Sequence, residues 1–435
     1  MTDLPSPTRE TMPEDTRRSL RAAFLFASIV LAFFLPACGD AAANAEGDAP
    51  RLDLQLEDLY RVGSIEGTGW EAFARIQSTA FDANGRLYIL DAGQYHVVVL
   101  DSDGTLVRTI GTRGEGPQEL RNPTAMTVLG SGEVAVYDMG HQAFLVYSPQ
   151  GEFRRSIRAG FQEGMPGTRL WPHGETGVVS ISANMVMMTG GSGPPAPPTS
   201  SPIRRFDLAG EGEIEVLHEA WIPPRESPAG GGARVAGGGG AMFSAAPMRA
   251  FEPQVHLAAL PDGRLVVADT SSYRLRLLAP TGAPEDVVEH DVTPRPVGES
   301  EQRAERERRL AGFEAGGGQV SIRSGPGAVA IDEGAIRDML RGQIETMTFW
   351  HEIPVITRVS ADRLGRIWLA RSGGVDVPGP IDILSPDGAR VGTLSAEDGP
   401  IPDSFGPGDV AAWIETDEFD VQYVQVRRLS GIPRP

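Results

Sequence analysis

Blocks of consecutive apolar residues recur along this chain: Leu87-Tyr88-Ile89-Leu90, Val97-Val98-Val99-Leu100 and Leu265-Val266-Val267-Ala268. A strand with one wet face alternates apolar and polar residues. A strand buried on both faces reads as an unbroken apolar run. Each block follows a glycine turn, and the phrase repeats. Asn84-Gly85-Arg86-Leu87-Tyr88-Ile89-Leu90-Asp91 returns as Ser131-Gly132-Glu133-Val134-Ala135-Val136-Tyr137-Asp138 and as Asp262-Gly263-Arg264-Leu265-Val266-Val267-Ala268-Asp269. A weaker copy runs Leu364-Gly365-Arg366-Ile367-Trp368-Leu369-Ala370-Arg371, and a degenerate one starts at Gly177. Asn-Gly and Asp-Gly supply the positive φ of a two-residue hairpin turn, so each phrase predicts a hairpin with that turn.

Repeats at this scale indicate stacked sheets that bury one another. Gly85 to Gly132 is an interval of 47 residues, and Gly132 to Gly177 one of 45. The longer intervals to Gly263 and Gly365 each read as one unit plus an insertion. A last unit spans Asp409 to Arg427, giving six units. It ends early, whereas Leu52 to Ile65 is strand-like and precedes the first full unit. The prediction is an all-β, six-bladed β-propeller. Its N-terminal strand closes the last blade, and a helical insertion lies between blades four and five. Closure into a ring also protects sheet edges.

Gly111-Thr112-Arg113-Gly114-Glu115-Gly116-Pro117-Gln118-Glu119-Leu120 resembles the G-x-x-G-x-G-P-x-E-[FL] linker of NHL-repeat and related six-bladed propellers. The segment Asp417 to Leu429 is similar to the closing strands of bacterial 6-bladed beta-propeller lipoproteins. The resemblance spans about Leu52 to Leu429 and is strongest over Phe73 to Ala159. It implies the fold and leaves the activity open.

The propeller is expected over residues 52–430, with insertions at about 190–202, 221–250 and 297–350. Glu299 to Phe313 reads as a helix with Glu305 and Arg309 at i,i+4 spacing. Glu333 to Phe349 reads as another, with Ile336, Met339, Leu340, Ile344 and Met347 on one stripe. These helices either elaborate the packing or form a lid over the channel.

A net charge of −19 argues against nucleic-acid binding, which needs a basic footprint. The chain has no lysine, which excludes Walker-type phosphate loops and Schiff-base chemistry. Its single cysteine, Cys38, precludes an internal disulfide or a thiolate metal site. Ahead of that cysteine lie Arg17, Arg18 and Arg21, then the apolar stretch Ala22 to Phe34, too short for the ~20 residues of a spanning helix. Leu35-Pro36-Ala37-Cys38 resembles the lipobox of bacterial lipoproteins. The resemblance implies a signal peptide over residues 1–37, acylation of Cys38, a tether over residues 38–51 and a lipid-anchored monomer in the cell envelope, on the periplasmic or outer-membrane side.

Propeller ligands are expected where inner strands begin, around the central tunnel. The blade-entry segments Arg121-Asn122-Pro123, Trp171-Pro172-His173, Phe251-Glu252-Pro253-Gln254 and Trp350-His351-Glu352 share X-Pro punctuation or lie beside it. They nominate Arg121, Trp171, His173, Glu252, Trp350, His351 and Glu352 as a tunnel mouth for an anionic or aromatic-bearing ligand. The same segments also serve if they merely fix strand entry. Asp91, Asp138 and Asp269 read as structural acceptors of turn N–H groups. The expected role is a non-catalytic binding or scaffold module for an envelope protein or small molecule, with no cofactor. The alternative is a lactonase-like or NHL-lyase-like enzyme with Ca²⁺ or Zn²⁺ in the tunnel, zinc drawing on His96, His141, His173, His256 and His351. Short metal-ligand spacings are absent from the sequence.

Replacing Cys38 by serine is expected to abolish incorporation of radiolabelled palmitate in the native cells. Label retained by C38S would overturn the lipoprotein reading.

Overall fold

The computed structural model describes residues 49–67, 69–161, 163–182, 197–210, 212–225, 233–236, 242–245, 248–317 and 333–435. The expected signal peptide, Cys38 and most of the expected tether lie outside the described residues, as do residues 190–196 and the side chain of Ile336.

Six four-stranded antiparallel sheets follow one another. Blade 1 comprises Ile76–Phe81, Leu87–Asp91, His96–Leu100 and Leu106–Ile110. Blade 2 spans Pro123–Val128 to Phe153–Arg158, blade 3 Trp171–His173 to Ile214–Trp221, and blade 4 His256–Ala259 to Pro284–Glu289. Blade 5 spans Ile356–Ala361 to Arg390–Leu394. Blade 6 is built from Ser404–Phe405, Val410–Thr416 and Gln422–Ser430, and its outermost strand is Gln55–Val62. That strand pairs from Gln55 opposite Ser430 to Val62 opposite Val424. The expected closure is therefore present.

The continuous apolar runs are explained by the seams. Leu87 and Ile89 pack into the seam with blade 6, while Tyr88 and Leu90 pack into the seam with blade 2. In the next strand Val98 and Leu100 face blade 6, and Val97 and Val99 face blade 2. Each of the six seams holds one cluster of buried side chains. Such a ring is a six-bladed β-propeller. Full burial of each Leu or Ile contributes about 2 kcal/mol, so the seams supply most of the stabilising term.

The turns correct one expectation. Asp82 N–H donates to Arg86 O at 3.0 Å and Gly85 N–H to Asp82 O at 3.3 Å. Gly85 has φ +83°, and Asn84 is not at positive φ. This is a three-residue loop with glycine at the left-handed position, in place of a two-residue turn. Blade 3 departs further. The positive-φ glycine of its first hairpin is Gly174, at +68°, whereas Gly177 already pairs with His173 inside the sheet. Trp171–His173 is consequently the end of an inner strand, and the entry lies near Pro166, which bridges to Ser182. Ser200-Ser201-Pro202, read as part of a loop, begins the third strand of that blade.

The recurring aspartates are fully buried clasps. Asp91 accepts from the N–H groups of Ala74, Arg75, Gly93 and Gln94 at 2.8 to 3.0 Å. Asp138 accepts from Arg121, Asn122 and His141 at 2.7 to 3.0 Å. Both tie the incoming inter-blade linker to the end of the second strand. Blade 5 has Arg371 there, and the charge is reversed: Arg371 Nε lies 3.2 Å from the buried Asp382.

The hairpin turns after first and third strands lie on one face of the ring. The linkers between blades and the loops after second strands lie on the other. Ile181, Ser200, Trp221, His256, Glu289 and Ile356, which bound the three long insertions, therefore all lie at that second face, the entry face. The last two insertions meet. Arg249–Ala250 pairs in parallel with Thr348–Phe349. Helix α1 (Glu299–Gly312) and helix α2 (Glu333–Glu345) contribute to a small cluster of Ala250, Ile344 and Met347, flanked by Leu310, Phe313 and Phe349. Glu305, buried, binds Arg309 at 2.5 Å, the pair that the spacing indicated.

Asp138→Ala removes a fully buried carboxylate that answers three N–H groups and is expected to lower stability by about 3 kcal/mol in urea titration. A loss below 0.5 kcal/mol would show the clasp to be incidental.

Candidate functional site

The seven nominated side chains do not form one mouth. Arg121 stands at the entry to blade 2, half exposed, with Glu115 at 3.2 Å. Glu252 is buried at the entry to blade 4 and is bound by Arg225 and Arg249. Trp350 lies in the same cluster: Arg249 covers its ring, Trp221 meets it edge-on at 6.3 Å, and its indole N–H donates to Ser271 Oγ at 3.0 Å. His351 stacks on Trp350 at 4.6 Å and is exposed, with Glu352 3.7 Å away. Glu252, Trp350, His351 and Glu352 thus share the base of the insertions. His173 sits at the opposite face, buried against the turn of blade 4 that carries Gly263. Burial and the neighbouring Arg205 hold its imidazole pKa below the usual range. The three-residue offset at Gly174 explains this misplacement.

Trp171 leads to the site the sequence did not reveal. It packs in the seam between blades 3 and 4 and lines a cavity of about 280 Å³. The walls come from the inner strands of blades 4 and 5 and from the lead-in and first two strands of blade 3, with Arg169, His256 and Arg358 as the titratable lining. Arg169 Nη2 is 3.9 Å from Asp403 Oδ1. Blades 3 and 6 stand opposite each other in a six-membered ring, so this ion pair spans the central channel.

Arg358 is bolted to blade 6. It donates to Ile401 O and Pro402 O, both at 2.9 Å, and to Asp403 Oδ1 at 3.2 Å. Asp403 Oδ2 accepts from Ile414 N–H at 2.8 Å. Ser180 Oγ donates to Arg169 O at 2.8 Å and accepts from Gly167 N–H at 3.0 Å, which pins the backbone beneath Arg169. The Arg169 side chain keeps 45% of its surface open. Enclosure by the ring, together with Arg358, pushes its pKa down to about 10, still fully charged at neutral pH. Enclosure pushes His256 down to about 4, with Arg169 adding to the effect, so the imidazole is neutral.

Among the described residues, no three His, Cys, Asp or Glu side chains converge to hold a metal ion. The described residues do not fit a Ca²⁺ or Zn²⁺ site. His141 Nδ1 is committed to Asp138 at 3.1 Å.

Residues 73–163 match the family model described as 6-bladed beta-propeller. The chain is a six-bladed β-propeller. No curated protein matches it. Among solved structures it is similar to a member of the DUF4221 family from Bacteroides vulgatus (11% identity, 88% of this chain and 99% of that chain, TM-score 0.46). It is also similar to a putative exported protein from Bacteroides fragilis (10%, 88% and 98%, 0.45). A third is a gluconolactonase from Xanthomonas campestris (13%, 88% and 95%, 0.39). At this distance the similarities transfer no activity to this propeller.

A His256 pKa near 4 in the fold against ~6.5 unfolded means that the unfolded chain binds the extra proton between those values. Stability from this group is complete above pH 6.5 and is lost as pH falls towards 4. H256Q is expected to flatten that acid limb by about 2 kcal/mol, read from urea melts at pH 7 and pH 4.5. An unchanged limb would refute the assignment.

Proposed function

We propose that this propeller is an exported, lipid-anchored, monomeric binding module of the bacterial cell envelope, and that it holds a small molecule in its central channel without transforming it. The observation that supports this reading is the lining of that pre-formed cavity. Guanidinium groups stay protonated at all working pH values and do not shuttle protons. A base with a pKa near 4 lies well below the optimum for proton transfer at neutral pH. Asp403 and Ser180 are both committed to hydrogen bonds within the fold. Such a set orients and holds a ligand and offers no free nucleophile. The lipid anchor rests on the sequence around Cys38 alone.

Elemental analysis of the purified chain is expected to find calcium and zinc well below one ion per molecule. EDTA is expected to leave the melting temperature unchanged. A stoichiometric ion, with lactone hydrolysis or another elimination or hydrolysis lost on chelation, would replace this reading with the metal-enzyme one.

A further inference from the structure

We propose that the channel ligand is a small monocarboxylate with an apolar or planar body, gripped by the guanidinium of Arg169. The inference rests on the channel being a ligand site, and it adds the chemical class.

Charge is the first argument. Arg169 and Arg358 face one carboxylate, Asp403, and His256 is neutral. One positive charge remains in the middle of a chain whose net charge is −19. A monoanion neutralises it, whereas a phosphate dianion would leave excess negative charge in an enclosed space. Low-dielectric walls strengthen such an attraction relative to open water.

Geometry is the second. The two terminal nitrogens of Arg358 are engaged by two carbonyls and Asp403 at 2.9 to 3.2 Å, its buried Nε alone lacking a partner among the described residues, and Asp403 is nearer to Arg358 than to Arg169. Among the described residues Arg169 has only the long 3.9 Å contact across the channel, so its fork of N–H donors is available. A planar guanidinium fork matches a carboxylate in a bidentate pair. Its backbone is fixed by Ser180, which sets where the side chain enters the channel.

The walls are the third. Trp171, Ile181, Val255, Leu257 and Val359 present aromatic and aliphatic surface beside Arg169. At about 280 Å³ the cavity lies just below the ~300–1,000 Å³ of drug-sized sites, which limits the ligand to a compact molecule.

The full chain in detergent is titrated calorimetrically with benzoate, benzamide, benzylamine and inorganic phosphate. Benzoate is expected to bind one to one, with the other three at least ~10-fold weaker. Arg169→Gln is expected to weaken benzoate at least ~10-fold, about 1.4 kcal/mol, and to leave benzamide unaffected. Arg169→Lys, which keeps the charge without the fork, should fall between. In the wild-type chain, raising NaCl from about 50 to about 500 mM should weaken benzoate alone. Failure of benzoate to bind, equal binding of benzamide, or full benzoate affinity in both Arg169 variants overturns the proposal. Tight benzamide, benzylamine or phosphate binding refutes the carboxylate while leaving a binding channel. Turnover of a probe refutes the binding reading itself.

Discussion

The two ends of the propeller meet in one ladder, Gln55–Val62 against Gln422–Ser430, and no covalent bond secures it. Without that ladder blade 6 would present an open edge. The seam that gathers Val62, Val424 and Val426 against Leu87 and Val98 would also lose a wall. Each seam depends on its two blades standing at the ring's angle, so loss of one junction loosens the others. The channel inherits this dependence. Arg169 and Asp403 face each other only because six wedges sum to a closed circle. Side chains reinforce the junction: Gln422 accepts from Ile76 N–H at 2.8 Å and Arg427 reaches Asp58 at 2.8 Å.

The buried aspartates perform a related task between neighbours. A charged carboxylate away from water is costly unless donors surround it, and here main-chain amides do so. The clasps of Asp91 and Asp138 fix where the inner strand of their own blade starts and so set the channel's lining. In blade 5 the arginine that replaces the aspartate keeps a carboxylate partner in Asp382, which is why a sequence copy that looks degraded still folds as a blade.

The ring was legible because Leu87 to Leu90 and Val97 to Leu100 carry no polar residue, and only two-sided burial explains such runs in short strands. The closing strand was legible as a shortage at one end and a surplus at the other. The channel site was not. Arg169 and Asp403 precede the inner strands of blades 3 and 6, Arg358 lies in that of blade 5, and no local spacing joins them; only ring curvature brings them together. A single arginine inside Ile356-Thr357-Arg358-Val359 was the available hint, since an inner strand otherwise favours small or apolar residues. Blade 3 misled for a specific reason. Gly174 and Gly177 both suit a turn, and choosing the latter moved Trp171-Pro172-His173 from the end of a strand to its start.

The chain joins the ring at the outer rim, where Leu52 N–H donates to Thr393 O at 2.9 Å and Gln55 lies beside Ser430, near the tight-turn face. Residues 39–50 span at most about 40 Å when fully drawn out. A molecule moored at Cys38 would therefore hang by its flank, as a wheel hangs from its tyre.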